Sequence, residues 1–325
     1  MSSLNFTQIE EAHKRIYSHI LKTPLVVSEH INNLVNANVY FKLENLQWTG
    51  SFKLRGAINK INLLNLAQKK IGIVAFSSGN HAQAVAYAAM INNISAKIIM
   101  PKNAPKIKIY NTKKYGAEVI LYDPLNENRE KIGNKISKEE NRVLIKPYDD
   151  LDIIAGQGTS GKEITEELSK LNINPNIYLC CCGGGGLIAG TATYLKHIFP
   201  NIDCYSVEPD EFNDTQTSLH NKIITPVKQG STSICDALLA PKPGDITFSI
   251  NQKILKRGLT VSDNEVKKTI KQLAENLKIV VEPGGAVAAT ALLNKKIEFQ
   301  NKTIIVMISG GNIDNDFFSK IVTNL

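Results

Sequence analysis

A chain of 325 residues with 43% apolar content is long enough to bury two cores of ordinary size. The N-terminal MSSLNFTQIEEAHKRIYSHI is charged throughout and no later apolar run reaches bilayer length, which argues against a secretory leader or membrane span and sets the expectation of a cytoplasmic protein. The formal charge of +8 would suit nucleic acid only if the basic residues clustered. The densest segment, KNAPKIKIYNTKK (102–114), instead interleaves them with apolar residues at helical spacing and reads as a solvated helix face, so no nucleic-acid partner is expected.

In chain order, short β-branched runs alternate with helical patterns. NVYFKLE (38–44) reads as the first strand and is followed by GSFKLRGAINKINLL, where Lys53 falls between Phe52 and Leu54 in the first turn of an amphipathic helix. IGIVAFS (71–77) passes through the turn SSGNHAQ (77–83) into helical NHAQAVAYAAMIN (80–92). AKIIMP (96–101), EVILYD (118–123) and RVLIKP (142–147) come next as strands, then helical GTSGKEITEELSKL (158–171). NIYLCCC (176–182) leads through four glycines into LIAGTATYLKHI (187–198), and DCYSVEP (203–209) and TIIVMIS (303–309) complete the set. Near-continuous apolar strands alternating with helices predict an α/β protein of parallel sheets covered on both faces. With no long linker or internal repeat, a second domain has to be inserted in the first: 70–145 as the smaller, 1–69 and 146–325 as the larger. Of the five cysteines, Cys180, Cys181 and Cys182 are consecutive, which suits reduced thiols packed in a buried strand, and the lack of a CxxC pair argues against structural zinc.

Ligands of open α/β sheets bind beyond the carboxyl ends of strands, at glycine-rich turns. Four such turns are expected: SSGNHAQ, GGGG (183–186), EPGGAVA (282–288) and SGGN (309–312). Gly183, Gly184, Gly185 and Gly186 join a buried strand to a helix, where backbone N–H groups and the helix dipole can together cradle a phosphate. The run fits neither GxGxxG nor GxxxxGK[ST], so support for a dinucleotide or ATP hydrolysis falls away. A phosphate cradle together with a lysine opening a helix suggests pyridoxal 5'-phosphate (PLP), which takes an amine for its Schiff base, an anchor for its phosphate and a group beside its ring nitrogen.

GSFKLRGA, SSGNHAQ, DIIAGQGT (152–159), the tetraglycine and SGGN resemble, in that order and over essentially the whole chain, the threonine dehydratase and serine racemase branch of the tryptophan synthase β-like (fold type II) PLP enzymes. The resemblance implies two parallel-sheet α/β domains with the cofactor in the cleft between them. It implies Lys53 as the Schiff-base lysine, Phe52 against the cofactor, Asn80 on its 3-hydroxyl, Gly183 to Gly186 on its phosphate and Ser309 facing its ring nitrogen. It also accounts for the apolar neighbours of Lys53, because desolvation lowers an amine pKa; a lysine stem lying along a helix face is the ordinary alternative for an isolated FKL.

The implied reaction is loss of the β-hydroxyl of L-threonine or L-serine, with Lys53 as general base, giving 2-oxobutanoate or pyruvate plus ammonia. Racemisation to D-serine would need an acid on the opposite face, and Ser78 matches the residue that serves so in serine racemases; the same serine could only bind substrate or cap the following helix. Ser77, Ser78, Asn80 and His81 would line the substrate pocket, and Arg129 matches a family arginine there, although by sequence it reads as a surface residue. Glu208, the Phe212 carbonyl and Asp214 resemble the family's divalent-cation site for Mg²⁺ or a similar ion, on what could otherwise be a solvated acidic loop. A homodimer is implied. The short stretch after SGGN implies an enzyme lacking the regulatory domain of biosynthetic threonine dehydratases. Hydroxyaspartate stays open as a substrate. A cysteine synthase-like β-replacement enzyme is disfavoured by SSGNHAQ, and a non-enzymatic phosphate-binding module would leave Lys53 and Ser309 without a purpose.

Overall fold

The computed structural model describes residues 4–77 and 79–324. Its strands are β1 (Leu25–Val26), β2 (Asn38–Leu43), β3 (Ile73–Phe76), β4 (Ala96–Pro101), β5 (Glu118–Tyr122), β6 (Val143–Leu144), β7 (Ile177–Cys181), β8 (Asp203–Pro209), β9 (Arg257–Val261) and β10 (Thr303–Ile308). They form a large sheet in the order β1-β2-β10-β7-β8-β9 and a small one in the order β5-β4-β3-β6. Every pairing is parallel except that of the edge strand β1 with β2. The α/β expectation therefore holds, and all eight expected strands are present. RVLIKP shortens to two residues, and Pro147 beyond it has no N–H to give to a ladder.

Two strands escaped the sequence reading. β1 is too short to show a pattern. In β9, RGLTV, the glycine interrupts the apolar run for a packing reason: a Cβ on Gly258 would lie 2.6 Å from Gln216 Cα. Each sheet carries its own main apolar cluster, one drawing on β2, β7, β8 and β10, the other on β3 and β4. The helix Lys53–Asn62 contributes Leu54, Ala57, Ile58 and Ile61 to the small sheet's cluster, so the segment bearing Lys53 lies at the junction of the two.

DIIAGQGT is helical throughout, because the helix Leu151–Lys170 starts seven residues before the expected 158. Asp150 caps it by accepting from the N–H groups of Asp152 and Ile153. Glycines are tolerated here because they let backbones meet: a Cβ on Gly156 would lie 2.6 Å from Gly56 Cα, and one on Gly190 would lie 2.9 Å from Gly158 Cα. EPGGAVA is likewise a helix start and not a strand-to-helix turn, with Pro283 in the first turn of Pro283–Leu293 and Gly285 pressed against the Gly310 backbone. Among the described residues no helix is long and apolar enough to cross a membrane.

Candidate active site

The carboxyl ends of β3, β7 and β10 deliver Ser77, the tetraglycine and Ser309 to one place, as the strand order of parallel sheets requires. The Lys53 segment is stitched to the segment after β10. Phe52 N–H donates to Ser309 O (3.1 Å), Gly311 N–H to Gly50 O (2.9 Å), and Ser51 bridges Gly310. Gly50 has φ +72°, a left-handed turn that glycine adopts without strain, and a side chain there would strike the Asn312 amide. Two positions beyond Lys53, Arg55 is fully buried between Glu44 and Glu163, with Nη2 to Glu44 Oε1 and Nη1 to Glu163 Oε1 both at 2.7 Å. Lys42 completes that network at 2.7 Å from Glu163.

One cavity gathers Phe52, Lys53, Asn80, Gly183, Gly184, Gly185, Gly186 and Ser309. Its continuation also reaches Ser77, His81 and Arg129. Thus every expected cofactor and substrate residue comes together except Ser78, which lies outside the described residues. Lys53 is partly exposed through the cleft, but its amine is enclosed and donates to Pro147 O at 2.7 Å; desolvation lowers its pKa to about 8. Among the described residues it has no carboxylate partner. The N–H groups of Gly183, Gly184 and Gly185 make no protein hydrogen bond among the described residues, and they lead into the N-terminus of the helix Gly186–Ile198.

Asn80 opens the helix Asn80–Ile91; its Nδ2 donates to Glu282 Oε1 and its Oδ1 accepts from Asn312 Nδ2 at 2.9 Å. His81 donates from Nε2 to Ile145 O at 3.0 Å. Burial, then the nearby Lys53 charge, lowers its pKa to about 3, so the ring is neutral and a poor proton carrier near pH 7. Ser77 Oγ accepts from Gly79 N–H at 3.0 Å. Arg129 does not point to bulk solvent as the sequence alone suggested: its guanidinium lies 5.8 Å from the Phe76 ring centroid, at the cavity wall.

Glu208 and Asp214 are buried together, with the helix Asp214–Asn221 beginning where the sequence suggested loop. Glu208 accepts from Thr215 N–H (2.8 Å) and Gln216 N–H (2.7 Å), whereas both Asp214 carboxylate oxygens lack a hydrogen-bond partner among the described residues. Desolvation raises the Asp214 pKa to about 7, and burial followed by the Asp214 charge raises that of Glu208. Phe212 is buried beside them, its N–H on Pro209 O at 2.9 Å.

The sequence reading missed three residues of this region. Tyr148 lies over the glycine loop so closely that a Cβ on Gly184 would be 2.3 Å from its ring, and burial pushes its pKa up to about 12. Nothing in KPYDD advertises that contact. Cys181 is not plain packing like Cys180 and Cys182, whose thiols burial pushes up: it lines the cavity, and its neighbours Cys180 and Ser309 hold it below the ordinary thiol range despite burial. Lys108 contradicts the reading of 102–114 as wholly solvated. It is fully buried, 2.6 Å from Asp236 Oδ2 and 2.8 Å from Glu282 Oε2, because two carboxylates from distant segments meet it there.

The family described as pyridoxal-phosphate dependent enzyme matches residues 16–310. The chain is 42% identical to a serine racemase of Schizosaccharomyces pombe over 98% of its length and 97% of the relative's. It is 38% identical to an L-threo-3-hydroxyaspartate ammonia-lyase of Saccharomyces cerevisiae, over 98% and 96%. A solved threonine deaminase from T.th. superposes with a TM-score of 0.90 at 34% identity, covering 95% of this chain and 99% of that one.

Proposed function

The chain belongs to the pyridoxal-phosphate dependent enzyme family, and we propose that within it the protein is an L-threonine/L-serine ammonia-lyase that forms 2-oxobutanoate or pyruvate plus ammonia. The observation that carries this reading is Lys53, an enclosed amine whose pKa is lowered by desolvation and which, among the described residues, has no carboxylate partner and faces a cavity walled by glycine N–H groups free of protein hydrogen bonds.

The residues present fit the cofactor. Gly183 to Gly186 would hold its phosphate with backbone N–H groups at a helix N-terminus, Phe52 would lie against its ring, and Asn80 would reach its 3-hydroxyl. Ser309 would meet its ring nitrogen with a hydroxyl, which leaves that nitrogen uncharged where a carboxylate would favour protonation. When bound, the cofactor supplies an aldehyde for the substrate's amino group and a conjugated ring that accepts the electron pair left at Cα. The protein's part is proton traffic and orientation. Lys53 Nζ takes the α-proton, Ser77, Ser78 and Asn80 hold the substrate carboxylate, and neutral His81 shapes the pocket without carrying a proton. Arg129 faces the far end of the substrate.

Relatives that eliminate and relatives that racemise match this chain to similar extents, which supports a second reading as a serine racemase with dehydratase side activity, resting on Ser78 as the opposite-face acid. Elimination from L-threo-3-hydroxyaspartate is a third reading, with Arg129 as partner of the second carboxylate. We also propose that Glu208, the Phe212 carbonyl and Asp214 bind Mg²⁺ or another divalent cation. Two buried carboxylates, one with both oxygens unbonded, support that site. The division into 70–145 and its surround, a homodimer and a cytoplasmic location complete the proposal.

Product partition tests it. Purified protein with PLP and Mg²⁺ receives L-threonine, L-serine or L-threo-3-hydroxyaspartate, with assay for 2-oxo acid and chiral chromatography for D-serine. Oxo acid from threonine and serine without D-serine supports the ammonia-lyase. D-serine that disappears in Ser78→Ala while elimination persists supports the racemase, and turnover of hydroxyaspartate alone overturns both.

A further inference from the structure

The helix Lys106–Lys114 belongs to the small-sheet side of the molecule, yet its first turn is gripped by three carboxylates from the large-sheet side. Asp314 accepts from the N–H groups of Ile107 (3.0 Å) and Lys106 (3.3 Å). Asp236 and Glu282 take the Lys108 ammonium at 2.6 and 2.8 Å. A buried lysine stays charged only where opposite charges offset its desolvation, and here there are two. Glu282 is also the N-cap of Pro283–Leu293, where the helix dipole favours a carboxylate.

The same ion pairs reach the cavity. Glu282 holds Lys108 with Oε2 and Asn80 Nδ2 with Oε1, while Asn312 holds the other end of the Asn80 amide. The stem of Lys108 also supports the loop before Asn80. A Cβ on Gly79 would lie 2.1 Å from Lys108 Cδ, so the loop rests on the stem and only glycine leaves room for it. The small-sheet groups Lys108, Gly79 and Asn80 thus form one contact surface with the large-sheet groups Asp236, Glu282 and Asn312.

We propose that Lys108 is a positioning residue: shared between Asp236 and Glu282, it latches the small-sheet side onto the large-sheet side and, through Glu282, fixes the Asn80 amide at the cavity wall. The latch itself follows from the contacts alone; its effect on catalysis rests on the cofactor reading of Asn80. Losing the ammonium removes the charge by which the small-sheet side is tied to this pair of large-sheet carboxylates and leaves them repelling each other, which favours opening of the junction. The amino-acid substrate then has to bind a less populated closed arrangement, and its apparent affinity falls by that population.

The test compares holoenzyme of Lys108→Met with wild type and with Lys114→Met on the exposed part of the same helix. Three quantities are read: amide hydrogen exchange of 79–83 and 106–114 relative to 187–198, the absorbance of the bound PLP, and KM against kcat for the amino acid. The latch predicts exchange in those two segments accelerated roughly tenfold over the control segment, a shifted cofactor spectrum, and KM raised roughly tenfold with kcat changed less. Uniform acceleration in all segments with unchanged spectrum and KM would make Lys108 a purely structural residue and overturn the proposal. Should Lys108→Met not fold, Asp236→Asn keeps the Lys108–Glu282 pair and must show the same pattern at smaller amplitude; wild-type behaviour in all three readouts sinks the idea. If the wild type itself shows neither cofactor absorbance nor turnover, the cofactor reading fails, and the exchange data still judge the latch.

Discussion

Two lysines, Lys53 and Lys108, each sit in the opening turn of a short helix with an enclosed amine, and their surroundings give them opposite chemistry. Among the described residues the Lys53 amine meets one hydrogen-bond partner, the Pro147 carbonyl, and desolvation brings its pKa down to about 8. Lys108 meets Asp236 and Glu282, whose charges outweigh its desolvation and raise its pKa. Burial alone therefore does not tell a reactive amine from a structural ion; the count of opposing charges does. Arg55, paired with Glu44 and Glu163, falls on the structural side only two positions from Lys53.

The largest effect should come from the unpaired lysine. Lys53→Ala is expected to lower turnover at least ~10³-fold with little loss of thermal stability, since it removes the proposed general base and, among the described residues, no ion pair; steady-state kinetics beside a melting curve would show it. Arg55→Met should do the converse to stability, costing about 3 to 5 kcal/mol by chemical denaturation because Glu44 is left buried without a cation and Glu163 keeps only Lys42. If Arg55→Met proved neutral, the division between paired and unpaired cations would lose its basis.

The carboxylate pair extends the comparison to anions. The folded-state pKa of Asp214 is raised to about 7, well above its unfolded value, so the folded protein holds the extra proton across the interval between them. Without divalent cation, the associated stability is fully present below about pH 4 and is lost as pH rises through 7, on the order of 4 kcal/mol. Added Mg²⁺ or Ca²⁺ should restore it by binding the folded state, and Asp214→Asn should abolish the cation response and reduce the pH slope to the share that buried Glu208 keeps, both read in melting experiments. A flat pH profile that ignores the cation would remove the site.

Smaller effects complete the series. Gly185 has φ +89°, so Gly185→Ala should cost about 1 kcal/mol in the denaturation midpoint and weaken PLP binding measured by fluorescence titration. Lys114→Gln, exposed on the Lys108 helix, should stay within about 0.5 kcal/mol of wild type, and a larger loss would mean that the helix is held by more than Lys108.

Much of this was legible in the sequence because strand runs and glycine turns are local signals. The β7 run ends on four glycines, the β10 run on SGGN, and the strand order alone brings them to Lys53. The missed residues depend on contacts between distant segments. KNAPKIKIYNTKK gives no sign that Asp236 and Glu282, more than a hundred residues on, will converge on one of its lysines. KPYDD does not say that the Tyr148 ring will lie over Gly184, and NENREKI does not show Arg129 turned toward Phe76. Cys181 reads with its neighbours as packing because alternation along a strand does not reveal that its last residue opens onto a cavity.

The central claim is that Lys53 is the amine that joins the cofactor, and covalent trapping tests it most directly. Holoenzyme reduced with borohydride, digested and mapped by mass spectrometry should carry a pyridoxyl phosphate group on the peptide containing Lys53, and Lys53→Ala should carry none. A cofactor trapped on another lysine, Lys108 included, or no adduct in a protein that turns over its substrate, would contradict the account.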